Sequence, residues 1–307
     1  MTGVKAMKHK LARSGTREKL WQPILLVMPF FLLFFLFTIL PIISSVVLSF
    51  TSYDMLNTPK FVGIENYVRM LLYDDIFKIA VENTLVFAVI TGPLGYALCF
   101  LLAWFINELP PIPRSVVSFI FYSPVLVGNV YFIWAFIFSG DTYGLANGFL
   151  LEYGFIKEPI IWLKDSRFAL GIVMIVQLWM SLGTSFLANI SGLQNIGTEL
   201  YEVGAIEGIR NRWQEAWYIT LPSMKSILLF SAVMQIQASF SVSAVATALA
   251  GNPSTNYITH TIVTHMEDYG AARYEMGYAA TISVFLFALM AGTRLVIGKL
   301  LNALGKD

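Results

Sequence analysis

Six runs of apolar residues, at about Ile24–Phe50, Ile79–Ile106, Val116–Phe138, Phe168–Ile190, Ser226–Ala250 and Gly277–Leu301, constrain this chain more than any other feature. A helix needs roughly 20 such residues to cross a hydrocarbon core of ~30 Å, and backbone N–H and C=O groups in that core have no water to bond. Runs of this length therefore predict an all-α membrane protein with six spanning helices. Charged residues are only 13% of the 307, about half the share in a soluble domain, so no large soluble core is expected beside the spans. The first run is too long for a signal-peptide core, and Pro29 and Pro41 predict a kink within it.

Six spans put both termini on one side, and the basic residues choose which. With the N-terminus inside, cytoplasmic segments hold 13 Lys or Arg and 7 Asp or Glu, against 7 and 12 on external segments. Residues 1–22 form a basic cytoplasmic segment closed by Lys19 and Trp21 at the membrane edge, and residues 23–78 supply the first span and an external loop. Residues 79–303 make the core, with a cytoplasmic loop over 191–224. Pro110, Pro111 and Pro113 stiffen the short loop at 107–114, so the second and third spans should be neighbours. Trp162 is expected to anchor the external segment 139–167 at the interface.

Between the fourth and fifth runs lies a polar stretch that cannot span. Thr198 suits an N-cap, Glu199 and Glu202 suit the positive end of a helix, and Gly208 can take the left-handed conformation that ends one. Asn211 with Gln214 can start a second helix, which Pro222 brings near its close. Gly204 and Gly208, four apart, leave one strip bare for close approach by another protein.

Glu202, Ala205, Gly208, Ile219, Leu221 and Pro222 resemble the "EAA…G…I-x-LP" loop of permease subunits of ATP-binding-cassette importers. Val203 and Gly204 stand where that pattern has alanines, and ten residues in place of nine separate Gly208 from Ile219. The extra residue shifts the following helix by about 100° unless the turn at Arg210-Asn211 absorbs it. Phe61-Val62-Gly63-Ile64-Glu65-Asn66-Tyr67, Asn83-Thr84-Leu85 and the segment from Gly251-Asn252-Pro253 to Gly277-Tyr278-Ala279 are similar to motifs of the carbohydrate-importing branch. The resemblance implies the type I importer transmembrane fold in a bacterial plasma membrane. It also implies that Glu199, Tyr201, Glu202, Gly204, Ala205, Gly208, Leu221 and Pro222 form the coupling element that docks on an ATPase. The implied partners are a second, related permease in a heterodimer, two ATP-binding subunits and a solute-binding protein that delivers sugar. No nucleic-acid partner is expected.

Polar residues within spans are costly unless satisfied, so their phase is informative. Gln177, Ser181, Thr184, Ser185 and Asn189 form one stripe, with Trp179 off its edge, and Gln235, Ser239, Ser243 and Thr247 form a second. Tyr122, Asn129, Tyr131 and Trp134 add groups from the third run. Uncharged donors interleaved with aromatic faces suit a sugar, and Tyr122, Asn129, Tyr131, Gln177, Trp179, Ser181, Gln235, Ser239 and Ser243 are the substrate-path candidates. The same groups serve equally to pack helices together.

No phosphate-binding glycine loop occurs, so ATP and Mg are expected on a partner, and no cofactor on this chain. Cys99 stands alone, and His260 and His265, five apart, would diverge on a helix, so no metal site is expected. No catalytic cluster is visible. A membrane enzyme acting on a lipid-linked sugar would need converging acids and bases, and a secondary transporter an intramembrane ionisable site or repeats with broken helices. The reading reached here is a carbohydrate importer's permease subunit that is not itself an enzyme.

Overall fold

The structure is a computed structural model that describes residues 21–128 and 130–304. The basic segment before Trp21, with Lys19, lies outside the described residues, as does Asn129.

The first span runs as a helix over Trp21–Phe34, a π-helical turn over Phe35–Ile39 and a helix over Leu40–Leu48. The cause of the interruption is Pro41, which has no N–H for the Phe37 carbonyl, so the ladder upstream widens by one residue. From Leu25 onward apolar side chains are exposed along this helix, and its Leu40–Leu48 half packs on the sixth span. The second span, Asp75–Asn107, has 33 residues, about 50 Å at 1.5 Å per residue, and so projects beyond the hydrocarbon core. It is the central post, packing against the Thr184–Gln194 and Lys225–Phe240 helices.

Three of the expected continuous spans are broken. The third run forms Pro111–Val127 and Tyr131–Ile137, with axes 92° apart, next to Gly128 at φ +72°. The fourth forms Ala169–Met180 and Thr184–Gln194 on either side of Ser181–Gly183. The fifth forms Lys225–Phe240 and Ala244–Ala250 on either side of Ser241–Ser243. Periodicity in these runs continues through each break, which is why sequence alone joined the halves. The sixth, Met276–Leu304, is continuous. Among the described residues five helices are long and apolar enough to cross a membrane, with 169–194 and 225–250 each taken as one span, and six if the bent third pair is also one.

One departure from the all-helical expectation is a two-stranded ribbon, Thr51–Ser52 with Lys60–Phe61. Beyond it Gly63 adopts φ +63° and a short helix covers Glu65–Val68, matching the turn and helix expected there. The ribbon is seated on the sixth span, where Gly277 N donates to Tyr53 O (2.9 Å) and Thr281 Oγ1 to Ser49 O (3.0 Å). In the 139–167 segment the fully buried Asn147 donates to Ser139 O, Asp141 O and Ile160 O and accepts from Ile160 N and Trp162 Nε1. Trp162 is thus half-buried, its indole N–H held by Asn147 and its ring against Phe138 and Phe168.

Candidate functional site

The polar stretch folds as a helix over Thr198–Ile206, a turn, and a second helical segment over 212–223. The N-cap is Gly197, in an extended conformation with no side-chain bond, and not Thr198, which already has helical angles. Glu199 in the first turn still complements the exposed N–H groups. The other end closes as expected: Gly208 lies at φ +97°, Ile209 N donates to Gly204 O (2.9 Å) and Gly208 N to Ala205 O (3.4 Å). This pair of bonds is the Schellman arrangement, which satisfies the last carbonyls of a helix.

Asn211 Oδ1 accepts from Gln214 N (2.8 Å) and Gln214 Oε1 from Arg210 N (2.9 Å), so the expected pair does start the second segment. A π-helical turn over Ala216–Thr220, which itself accommodates one residue more than an α-helical turn, lies just ahead of Pro222, whose missing N–H relaxes the ladder as at Pro41.

Gly204 corrects the bare-strip expectation. It is buried, and a Cβ there would sit 2.6 Å from Ile219 Cδ1 and 3.2 Å from Ile209 Cδ1, so its missing side chain admits this chain's own Ile219. Gly208 faces open space. The outward face carries Leu200, Val203 and Ile206, with Glu199, Glu202 and Ala205 also exposed. Ile206 is 85% exposed, so this face has nothing of its own chain to cover it. Tyr201 turns inward, its hydroxyl 3.1 Å from Thr220 Oγ1. Leu221 is half-buried and Pro222 exposed.

The second segment is tied to the second span. Arg212 bonds Glu108 and Glu215 (2.7 Å each), and Trp213 meets Trp104 edge-to-face at 5.1 Å, tying the element to the end of the second span. The exposed ion pairs contribute about 1 kcal/mol or less, and the indole pair about 0.5–1.5 kcal/mol beyond its burial. After Ser223 the chain runs straight into the fifth span at Lys225. The Thr198–Ile206 helix is thus joined, through Tyr201 and Thr220, to a segment that packs on the second span and continues into the fifth.

The path candidates are placed less simply. Gln177 Nε2 donates to Ala238 O (3.1 Å), Ser185 Oγ to Ser231 O (3.3 Å) and Asn189 Nδ2 to Ser231 Oγ (3.2 Å), so the two stripes face each other as a seam. Ser181 and Ser239 bond back to Leu178 O and Ile236 O. A Cβ at Gly95 would overlap the Gln235 amide, and one at Gly92 would lie 3.4 Å from Ser239 Oγ, so these glycines of the second span make room for the fifth. Gln235 and Ser239 also border a cavity of about 420 Å³ between the second, fifth and sixth spans, whose other walls are mainly apolar, as at Leu85, Val89 and Ile297. Tyr122 and Tyr131 are half-buried, and Trp179 meets Trp134 edge-to-face at 5.5 Å. Ser243, at the break of the fifth span, donates to Glu267 Oε2 from the loop before the sixth, so a carboxylate does reach the second stripe.

A cluster that sequence reasoning did not assemble lies on the opposite face from the 198–224 element. His260 precedes the Ile262–Glu267 helix and is not part of it, so the two imidazoles meet instead of diverging: His260 Nε2 is 3.1 Å from His265 Nδ1. His265 Nε2 lies 3.0 Å from Asp74 Oδ2, which also accepts from the Tyr278 hydroxyl (2.7 Å). The one available signal was Asp74 ahead of the second run, where its Oδ1 caps the helix at Phe77 N (2.9 Å). Among the described residues no three His, Cys, Asp or Glu are grouped to hold a metal.

Residues 83–300 match the family described as binding-protein-dependent transport system inner membrane component. The arabinooligosaccharides transport system permease protein AraP of Bacillus subtilis (strain 168) is 30% identical over 294 residues, 94% of this chain and 92% of that one. The lactose transport system permease protein LacF of Rhizobium radiobacter is 32% identical over 216 residues, 68% of this chain and 69% of that one. A chain of a bacterial alginate ABC transporter, crystallised in complex with an alginate pentasaccharide-bound periplasmic protein, superposes with a TM-score of 0.74. At 20% identity, over 94% of this chain and 96% of that one, the likeness shows a shared fold.

Proposed function

The chain belongs to the family of inner membrane components of binding-protein-dependent transport systems, and from that premise we propose that it is one permease subunit of an ATP-driven carbohydrate importer. The observation that carries the reading is the 198–224 element: a capped helix with an uncovered apolar face, Leu200, Val203 and Ile206, rigidly joined to the second and fifth spans. ATP and Mg belong on a separate ATPase that covers that face, and this chain moves without catalysing hydrolysis. A related permease completes the path, and two ATPase copies serve the pair. AraP and LacF are named for oligosaccharide and lactose transport, which supports a sugar substrate here.

A secondary transporter calls for an intramembrane ionisable site or an internal repeat with broken helices; helices are interrupted here in three spans, and interruptions alone do not separate the two kinds of transporter. The coupling element does, since a carrier without an ATPase has no use for it. Among the path candidates, Gln235 and Ser239 border a cavity, and the third-run aromatics Tyr122 and Tyr131 with Trp179 offer rings for stacking. Asn129 keeps its candidacy from sequence alone.

The experiment is capture and orientation together. The purified chain should co-isolate with an ATPase whose hydrolysis is stimulated by a sugar-loaded binding protein. In a Cys99→Ser background, Leu56→Cys, 91% exposed at the ribbon tip, should react with an impermeant thiol reagent from outside, and Ile206→Cys only after the membrane is opened. Labelling of Ile206→Cys in intact cells, or no ATPase in the complex, would defeat the reading.

A further inference from the structure

The transport role makes no use of a buried titratable chain on the face opposite the 198–224 element. His260 and His265 are 2% and 1% exposed, and Asp74 lies at the far end of their hydrogen-bonded series. An ionised carboxylate only accepts, so His265 carries its proton on Nε2 and, when neutral, accepts at Nδ1. His260 must then donate from Nε2 and leave Nδ1 bare. That Nδ1 is buried with no hydrogen-bond partner among the described residues.

The two rings sit where the loop between the fifth and sixth spans crosses the end of the second. Asn83 Nδ2 donates to Tyr257 O and His260 O (2.9 Å each), Ile262 N to Thr84 Oγ1 (2.9 Å), and Thr261 Oγ1 to Val242 O. Tyr278 joins the sixth span to the same carboxylate. We propose that Asp74, His265 and His260 form an acid-sensitive latch, which holds the 251–275 loop across the second, fifth and sixth spans near neutral pH and releases it on acidification.

A proton arriving at His260 has a poor place to go. On His260 Nδ1 it makes a buried cation with no acceptor beside it. The charges and titratable groups around the pair are Asp74 from the second span, Asp268 and Arg273 from the loop, and Tyr278 from the sixth span. Phe77 and Tyr269 pack on His265, and Tyr257 packs on His260. Arg69 is paired with Glu275 and stacked on Tyr278, and Glu267 is engaged by Ser243.

Burial, helped by the neighbouring His265, lowers His260 to about 4. Burial raises Asp74, but the bonds from His265, Tyr278 and Phe77 N outweigh it and hold the carboxyl below the usual range, so it stays ionised. A released, solvated His260 would bind its proton near the ordinary value of about 6.5. The latch is therefore at full strength above that pH. Between about 6.5 and 4 the released state binds more protons, and release is favoured by up to about tenfold per pH unit. The side from which acid acts rests on the orientation proposed above; the latch itself does not.

The test is hydrogen exchange on the full-length chain in nanodiscs from pH 7.5 to 4.5, corrected for the intrinsic pH dependence of exchange. Peptides covering 255–267 should lose protection by up to about tenfold per unit below pH 6.5, while the Thr184–Gln194 helix does not. His260→Phe should abolish that dependence, and His260→Gln, which keeps a donor toward His265 without titrating, is the same test should the larger ring misfold. Parallel profiles for the two regions in the wild type, or undiminished dependence in His260→Gln, would overturn the latch. No transport partner enters the measurement, so its failure leaves the importer reading untouched.

Discussion

Gly204→Val lowers sugar uptake and binding-protein-stimulated ATP hydrolysis tenfold or more in the reconstituted transporter. A Cβ added at this position would sit 2.6 Å from Ile219 Cδ1, and two further methyl groups would force Ile219 and the 212–223 segment away from the first helix. Overpacking of this kind costs about 1–3 kcal/mol, which is small beside the burial of the spans but is concentrated at the joint that carries motion. The variant should therefore insert and express. Gly204→Ala asks only for a shift at the flexible end of Ile219 and should keep most activity. Gly208→Val, where nothing lies within 4 Å, acts through backbone strain at φ +97° alone, on the order of 1–2 kcal/mol. The decisive comparison is Gly204→Val with Ile219→Ala. If Gly204 is small to admit Ile219, the second change restores part of the lost activity. If Gly204 is small to admit an ATPase, the double variant is no better than the single one, and the packing argument fails.

The coupling element shows what residue types announce and what they leave open. Left-handed Gly208 and the Asn211–Gln214 start were legible because each is a local backbone requirement with a short list of residues that meet it. The inward use of Gly204 was not, because a missing side chain says only that something approaches closely. Which surface approaches is a tertiary fact. The π-helical turn ahead of Pro222 was hidden for a related reason: the spacing revealed one added residue, but Pro222 decided where the ladder would widen.

The spans divide the same way. Apolar length gave their approximate limits, since hydrocarbon thickness sets how long a span must be, and the count of six holds if the bent third pair is one span. The breaks at Ser181–Gly183 and Ser241–Ser243 lie where small polar residues continue a helical stripe, and nothing local separates a stripe from an interruption. The amide N–H groups of Gln177 and Asn189 then bond across the seam, while Asn189 Oδ1 is buried with no partner among the described residues, an arrangement visible only once two helices are placed. The His260–His265 contact was missed because the helix begins at Ile262, which turns a five-residue spacing from divergence into contact.

Gly277→Ala should free the 51–61 ribbon from the sixth span. A Cβ here would overlap the Thr51 carbonyl oxygen, and it would approach Tyr53 N at 3.0 Å. Both obstacles are backbone, so no side-chain rotation relieves them. The strain belongs at or above the upper end of the about 1–3 kcal/mol usual for overpacking. Relief requires the ribbon to move off, which breaks the Gly277 N to Tyr53 O bond and strains the neighbouring bonds of Thr281 and Asn66 to Ser49 O. Limited proteolysis reads the result: cleavage near the exposed Leu56 should rise tenfold or more over wild type, while Gly292→Ala, on the same helix with nothing within 4 Å, should match wild type. The anchoring also reaches the buried carboxylate, because Tyr278, next in the chain, bonds Asp74 and lies under the Arg69 guanidinium. Wild-type resistance in Gly277→Ala would mean that the ribbon and the sixth span are not in backbone contact, and the seating of the 51–69 segment would have to be redrawn.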